Sequence, residues 1–155
     1  MWSRGQTEFE GYETVMQTFL PVPDYILSAQ SLDSKRLGKQ RSEAKIILNT
    51  LYGKSAGWSF HPAVRMWTGF EKALESYFDV ISMEWINRGY MHNMCLYNNK
   101  TPFEYPPWFG NEEFHLSHQS NLIRKFPEHY RPIFGYDIPN DLPYYWPTNK
   151  ETVDV

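Results

Sequence analysis

The sequence predicts a mainly α protein: a single compact helical domain with three main helices, a long irregular loop and an extended C-terminal tail. Three observations predict it. Apolar residues recur at helical spacing in two stretches and a mixed polar side in a third, and each stretch ends at a helix stop: Gly53, Gly89 or Pro127. No run alternates apolar and polar residues long enough to make a strand pair, and no internal repeat is present. The length of 155 residues suits one domain with a sizeable core, and aromatics at 17% supply either dense packing or stacking surfaces.

The segment 1–15 has no sustained periodicity and reads as an N-terminal extension or arm, leaving 16–155 as the helical domain. Met16–Pro21 is an apolar, extended lead-in, because Pro21 and Pro23 keep the chain out of helix. Asp24 caps a short helix over Tyr25–Ser31. Asp33 then caps the first main helix, from about Ser34 to Tyr52, by accepting from the orphan N–H groups of its first turn. Gly53 ends it. Lys54–Gly57 is a turn, and His61 precedes a short helix with Pro62 at its first position.

Phe70–Arg88 is the second main helix, with Phe70, Leu74, Tyr77, Ile81 and Trp85 on its apolar side. Tyr90–Gly110 is the irregular loop. Its aromatics Tyr97, Phe103, Tyr105, Trp108 and Phe109 are suited to covering a pocket. Asn111–Phe126 is the third main helix, Pro127–Phe134 forms a further short turn or helix, and 135–155 is a tail extended across the body.

Composition excludes several classes. A single cysteine, Cys95, rules out a disulfide framework and a cysteine-based zinc site, and a reducing, cytoplasmic setting follows as the default. No apolar run approaches the ~18 residues of a spanning helix, so no membrane partner is expected. The net charge of −3 argues against non-specific nucleic-acid binding by the whole surface. Its distribution is uneven: Arg4 is outnumbered by Glu8, Glu10, Glu13 and Asp24, and Lys150 by Asp137, Asp141, Glu151 and Asp154. Acidic ends flank a mildly basic body.

The first main helix carries the strongest signal. Lys35, Arg36, Lys39 and Glu43 fall within an arc of about 100°, opposite Leu37, Ala44, Leu48 and Leu51. Two readings stand: a solvated face with one Lys39–Glu43 pair, or an anion site with a carboxylate set among cations. Arg41 lies at the edge of the apolar arc and needs a fixed partner. The third helix offers a second polar surface, with His115, Ser117, His118, Ser120, Asn121, Arg124 and Lys125. Facing each other, the two surfaces would form a cleft for phosphate-bearing ligands. The i, i+3 histidines lack a third ligand at a helpful offset, so no metal and no cofactor are expected. With no phosphate loop, nucleophile elbow or zinc motif, what remains is amine chemistry. An amine placed near a carboxylate and other cations is the candidate nucleophile, and Lys39 with Glu43 one turn later is the best pair in the sequence.

A set of motifs spread over 16–147 carries a family resemblance: Met16-Gln17-Thr18-Phe19-Leu20-Pro21; Leu32-Asp33-x-Lys35-Arg36-Leu37-Gly38-Lys39-Gln40-Arg41-x-Glu43-Ala44; His61-Pro62-Ala63-Val64-Arg65-Met66-Trp67; Glu84-Trp85-x-x-Arg88-Gly89-Tyr90; Pro106-Pro107-Trp108; Phe114-His115-x-Ser117-His118-x-Ser120-Asn121-Leu122-x-Arg124-Lys125; and Pro143-Tyr144-x-Trp146-Pro147. With these the chain resembles the bacterial and phage branch of the pyrimidine-dimer DNA glycosylase family, which is endonuclease V-like. The resemblance implies a mostly helical DNA repair glycosylase with AP lyase activity on damaged or modified pyrimidines. In that reaction an amine attacks C1′, releases the base, forms a Schiff base and lets the strand break, while a carboxylate on the first long helix assists.

The implied partner is DNA or a nucleotide-like ligand, in the cytoplasm of a bacterium or a phage-infected host. In the phage enzyme the amine is an N-terminal one, but here fifteen residues precede Met16, so the expectation falls on Lys39 as nucleophile and Glu43 as carboxylate. Lys35, Arg36, Arg41, His115, His118, Asn121, Arg124 and Lys125 are expected to bind substrate phosphates. Overlaying the basic helices puts Gly38 near the family's catalytic carboxylate. Two alternatives remain: a non-catalytic protein that binds or sequesters a nucleotide-like ligand on the same fold, and a glycosidase acting on free modified nucleosides.

Overall fold

The chain is organised around an extended segment that runs through its interior. In the computed structural model, which describes residues 16–55 and 60–147, Met16–Leu20 are all buried without being paired to a strand. Buried main-chain groups require partners, and here side chains supply them. Gln40 Oε1 accepts from the Phe19 N–H at 2.9 Å, and Tyr77 Oη donates to the Phe19 carbonyl at 2.8 Å. His118 Nδ1 accepts from the Leu20 N–H at 2.9 Å, and Gln119 Nε2 donates to the Pro21 carbonyl at 2.8 Å. The Trp67 indole N–H is held by Thr18 Oγ1 at 3.1 Å.

Six helices surround this segment in the described residues, which contain no strand. Helix α1 spans Tyr25–Ser31 and is capped by the Asp24 carboxylate on the Leu27 N–H. Helix α2 spans Ser34–Leu51. Asp33 caps it and is itself held by the Tyr130 hydroxyl, from 97 residues away. Gly53, at φ +80°, turns the chain out of α2 in the left-handed region that favours glycine.

Helix α3 is one turn, Pro62–Arg65, with His61 Nδ1 accepting from Ala63 N–H as its cap. Helix α4, Glu71–Asn87, packs against α2 through Leu74, Tyr77, Phe78 and Ile81. Phe70 and Trp85, expected on the same apolar side, are only partly buried. Helix α5, Glu112–Lys125, is capped by Asn111, and α6, Pro127–Phe134, follows at once.

The irregular loop expected over Tyr90–Gly110 is present, but its aromatics differ from the expectation. Trp108 reaches the core, where its indole donates to the Met66 carbonyl at 3.0 Å and meets Trp67 edge to face. Tyr105 and Phe109 stack on each other and both meet Tyr25 edge-on. Asp79 fixes the loop by accepting from the Tyr97 and Asn98 N–H groups at 2.9 and 2.8 Å. Trp108 and Phe109 extend the core, while Tyr105, stacked on Phe109, stays exposed. Cys95 is exposed rather than enclosed by Met94 and Leu96.

The tail crosses α5 as expected. Ser120 Oγ accepts from Leu142 N–H at 3.0 Å, and Ser117 Oγ from Tyr145 N–H at 3.2 Å. The expected arm 1–15, part of the turn Lys54–Gly57 and the end of the tail from 148 lie outside the described residues. No helix of the described residues is long and apolar enough to cross a membrane.

Candidate functional site

The basic face of α2 and the last turn of α5 converge on one groove. A cavity of about 190 Å³ is lined by Phe19, Lys35, Arg36, Lys39, Gln40, Glu43 and Lys125. The spacing of Lys35, Arg36, Lys39 and Glu43 brings them to one side of α2. Asp33 anchors the start of that side, binding Arg36 Nη1 at 3.1 Å. A cavity of about 280 Å³ between α1 and α4, lined by Ile26, Ala29, Val80, Met83, Glu84 and Asn87, shares no residue with the groove and gathers no cations.

Glu43 lies at the base of the groove and is only 3% exposed. Its Oε1 accepts from the Gln17 main-chain N–H at 3.2 Å and from Gln40 Nε2 at 3.1 Å. Gln40 is fixed in turn, since its Oε1 takes the Phe19 N–H and the Tyr77 hydroxyl at 2.7 Å. Glu43 Oε2 makes no hydrogen bond, nor do Gln17 Nε2 and the Tyr144 hydroxyl.

Burial pushes the Glu43 carboxyl up to about 8. The Gln17 N–H, Lys39, Gln40 and Lys125 pull in the other direction without overcoming it. At neutral pH the group is therefore chiefly a carboxylic acid. The Lys39 Nζ contact with Oε2, at 4.0 Å, is then a contact to a neutral acid rather than a full ion pair. Lys125, half-buried, is held below the usual lysine range by burial and by the positive charges of Arg36, Arg124 and Lys39, against the pull of Glu43.

The groove thus combines a proton donor, an amine with a lowered affinity for its proton, and several cations around it. Such a set can bind phosphate oxygens, protonate a leaving group and present a nucleophilic nitrogen.

Lys35, Arg36, Lys39, Glu43 and Lys125 come together as the sequence predicts. The other expected site residues do not line the groove. Arg41 points elsewhere: its guanidinium sits 4.5 Å from the Trp85 ring centroid, with Nη1 2.8 Å from His92 Nδ1. It is partly buried with fixed partners, as its place on the helix requires. His115 and His118 together grip the Leu20 peptide. His115 Nδ1 donates to its carbonyl at 2.7 Å and Nε2 accepts from Gly110 N–H at 2.9 Å, while His118 Nδ1 takes the Leu20 N–H. Burial lowers both, His118 to about 3, so both are neutral and neither supplies a cation to the groove.

Asn121 donates to the Ser117 and Leu142 carbonyls at 2.8 and 3.1 Å. Arg124 binds Asn121 Oδ1 and the Asn140 carbonyl. These two side chains tie the tail to α5. Gly38 does not face the groove either, since a Cβ there would stand 2.8 Å from the Trp85 ring. A carboxylate could not be housed at that position, and Glu43 is the acid that reaches the site.

Phe19 and Gln40 belong to the groove without having been singled out in the sequence. Gln40 carried one signal, its i, i+3 relation to Glu43 on the same helix.

A family model described as pyrimidine dimer DNA glycosylase matches residues 16–98. That stretch contains the buried extended segment and every groove residue except Lys125. No curated protein and no solved structure matches.

Proposed function

The chain belongs to the pyrimidine dimer DNA glycosylase family, and on that premise we propose that it excises damaged pyrimidines from DNA and breaks the strand through an amine of its cationic groove. The observation that carries this reading is Glu43: a carboxyl kept protonated at neutral pH, at the base of a groove ringed by Lys35, Arg36, Lys39 and Lys125.

The cations hold the phosphates that flank the lesion, which fixes the strand relative to the acid. Glu43 supplies a proton as the glycosidic bond breaks, through the Oε2 atom, which makes no hydrogen bond to a protein group. Gln40 and the Gln17 N–H keep the other oxygen in place, so the acid needs no reorganisation during the reaction. The nitrogen of Gln17 is a peptide amide and not a nucleophile, so the reading takes the amine from a lysine side chain of the groove, Lys35, Lys39 or Lys125.

A second reading is a protein that binds and sequesters a nucleotide-like ligand without turnover. It is favoured by the same amide at Gln17, which stands against Glu43 where a reactive amine would otherwise fit. Incubating the protein with a duplex carrying one pyrimidine dimer decides between them. Release of the lesion and strand breakage, absent on the undamaged duplex, support the glycosylase/lyase. Tight binding of the duplex or of nucleotides with no cleavage supports sequestration.

A further inference from the structure

We propose that Lys125, at the C-terminal end of α5, is the amine that forms the imine with the opened sugar, Glu43 acting as its proton donor. The inference rests on the glycosylase/lyase reading and names the nucleophile within it. It departs from the expectation that Lys39 plays this part.

Three observations separate Lys125 from Lys39, and the first also separates it from Lys35. Lys35 and Lys39 are exposed, Lys39 with 52% of its side chain open to solvent, whereas Lys125 is half-buried. Lys39 stands 4.0 Å from Glu43 Oε2, while Lys125 makes no hydrogen bond and no ion pair among the described residues. Its nitrogen therefore has no protein contact to give up before it attacks. Finally, Lys125 has three cationic neighbours, Arg36, Lys39 and Arg124, and among the described residues Glu43 is the carboxyl acting on it.

The C-terminal carbonyls of α5 favour an ammonium there. Burial and the three cations act against it, and the ammonium is the form they destabilise. Arg124, which ties down the tail through Asn140, thereby also acts on the reactivity of its sequence neighbour.

The step balances as follows. The lone pair of the neutral Lys125 amine forms a bond to the C1′ aldehyde carbon of the ring-opened abasic sugar, and the C=O π pair moves to oxygen. One amine proton passes to that oxygen, giving a carbinolamine. The hydroxyl then leaves as water, taking the proton of Glu43. The products are an iminium on Lys125, a carboxylate on Glu43 and one water. The carboxylate is left beside the new cation, which it stabilises.

Pyridoxal 5′-phosphate provides a probe, because it carries an aldehyde and a phosphate that the groove cations can hold. The full chain is treated with it at neutral pH, reduced with borohydride, digested and mapped by mass spectrometry. Labelling at Lys125 is expected to exceed that at Lys39, because burial and the neighbouring cations favour the free amine at Lys125. In parallel, borohydride trapping on an abasic duplex is expected to vanish in Lys125→Arg and to persist in Lys72→Arg, a lysine of α4 that does not line the groove. The wild-type map needs no variant, so a folding defect in either substitution does not obscure it. Preferential labelling of Lys39, or equal labelling of the two, overturns the assignment. Labelling at Lys125 with no trapping on any DNA supports the assignment of the amine while overturning the lyase reading.

Discussion

Glu43 Oε1 accepts the main-chain N–H of Gln17 at 3.2 Å, across 26 positions of sequence. This contact joins the buried segment to the basic helix and fixes the acid at the base of the groove. It also explains why the carboxyl can be buried at all: one oxygen is fully engaged by Gln17 and Gln40, and protonation relieves the charge on the other.

Stability should therefore depend on pH through Glu43. Its folded-state value, about 8, lies above its ordinary value of 4.5, so the folded protein binds this proton more tightly than the unfolded chain. The stabilisation is complete below about pH 4.5 and is lost as pH rises towards 8. His118 works in the opposite direction. Its value is lowered from 6.5 to about 3, so its contribution is present above 6.5 and lost as pH falls. Urea unfolding of wild type and Glu43→Gln between pH 5 and 8.5 isolates the first effect. The variant should gain about 2–4 kcal/mol relative to wild type across that range. A constant difference would mean that Glu43 is ionised throughout.

His118→Ala should cost about 3 kcal/mol at pH 7.5, measured by the same unfolding. It strips the Leu20 N–H of its acceptor and removes a ring packed 4.3 Å from the Phe114 centroid. A loss below about 1 kcal/mol would show that the buried segment does not depend on this grip.

Duplex affinity should fall with salt, and each groove cation should contribute. Lys35→Ala and Lys39→Ala are each expected to reduce the slope of log K against log salt by about 0.9. Arg41→Met should leave the slope unchanged, since its guanidinium is pinned between Trp85 and His92. Fluorescence anisotropy at several salt concentrations gives all three slopes. An equal effect at Arg41 would place the DNA on the wrong face of α2.

Gly38→Ala should destabilise by about 1–3 kcal/mol. The added methyl meets the Trp85 ring at 2.8 Å, and that ring cannot easily withdraw. Tyr90 stacks on it at 4.1 Å, Arg41 lies against it, and its indole donates to the Met91 carbonyl at 2.8 Å. Thermal unfolding unchanged from wild type would show that Trp85 is free to move.

Much of this was legible in the sequence because local rules dominate it. Asp24 and Asp33 cap the helices they precede, and the arc of Lys35, Arg36, Lys39 and Glu43 follows from helical geometry alone. What was not legible depends on contacts distant in sequence. His115 and His118 read as polar groups facing a cleft, but the Leu20 peptide, nearly a hundred residues earlier, takes up the Nδ1 atom of each ring. Arg124 and Asn121 were likewise assigned to phosphate, and the returning tail claims them. A side chain's type limits what it can bind. Which partner it finds is decided by chain crossings that no local pattern records.

The most direct test of the account is single-turnover excision on a duplex carrying one pyrimidine dimer, comparing wild type with Glu43→Gln at neutral pH. The amide keeps the shape and the acceptor for Gln17 but has no acidic proton to transfer. The account predicts a rate lower by about 10²–10⁴-fold, with duplex affinity unchanged within about threefold because the cations remain. Excision by Glu43→Gln within about tenfold of wild type would contradict it, since that is less than the loss of a general acid entails.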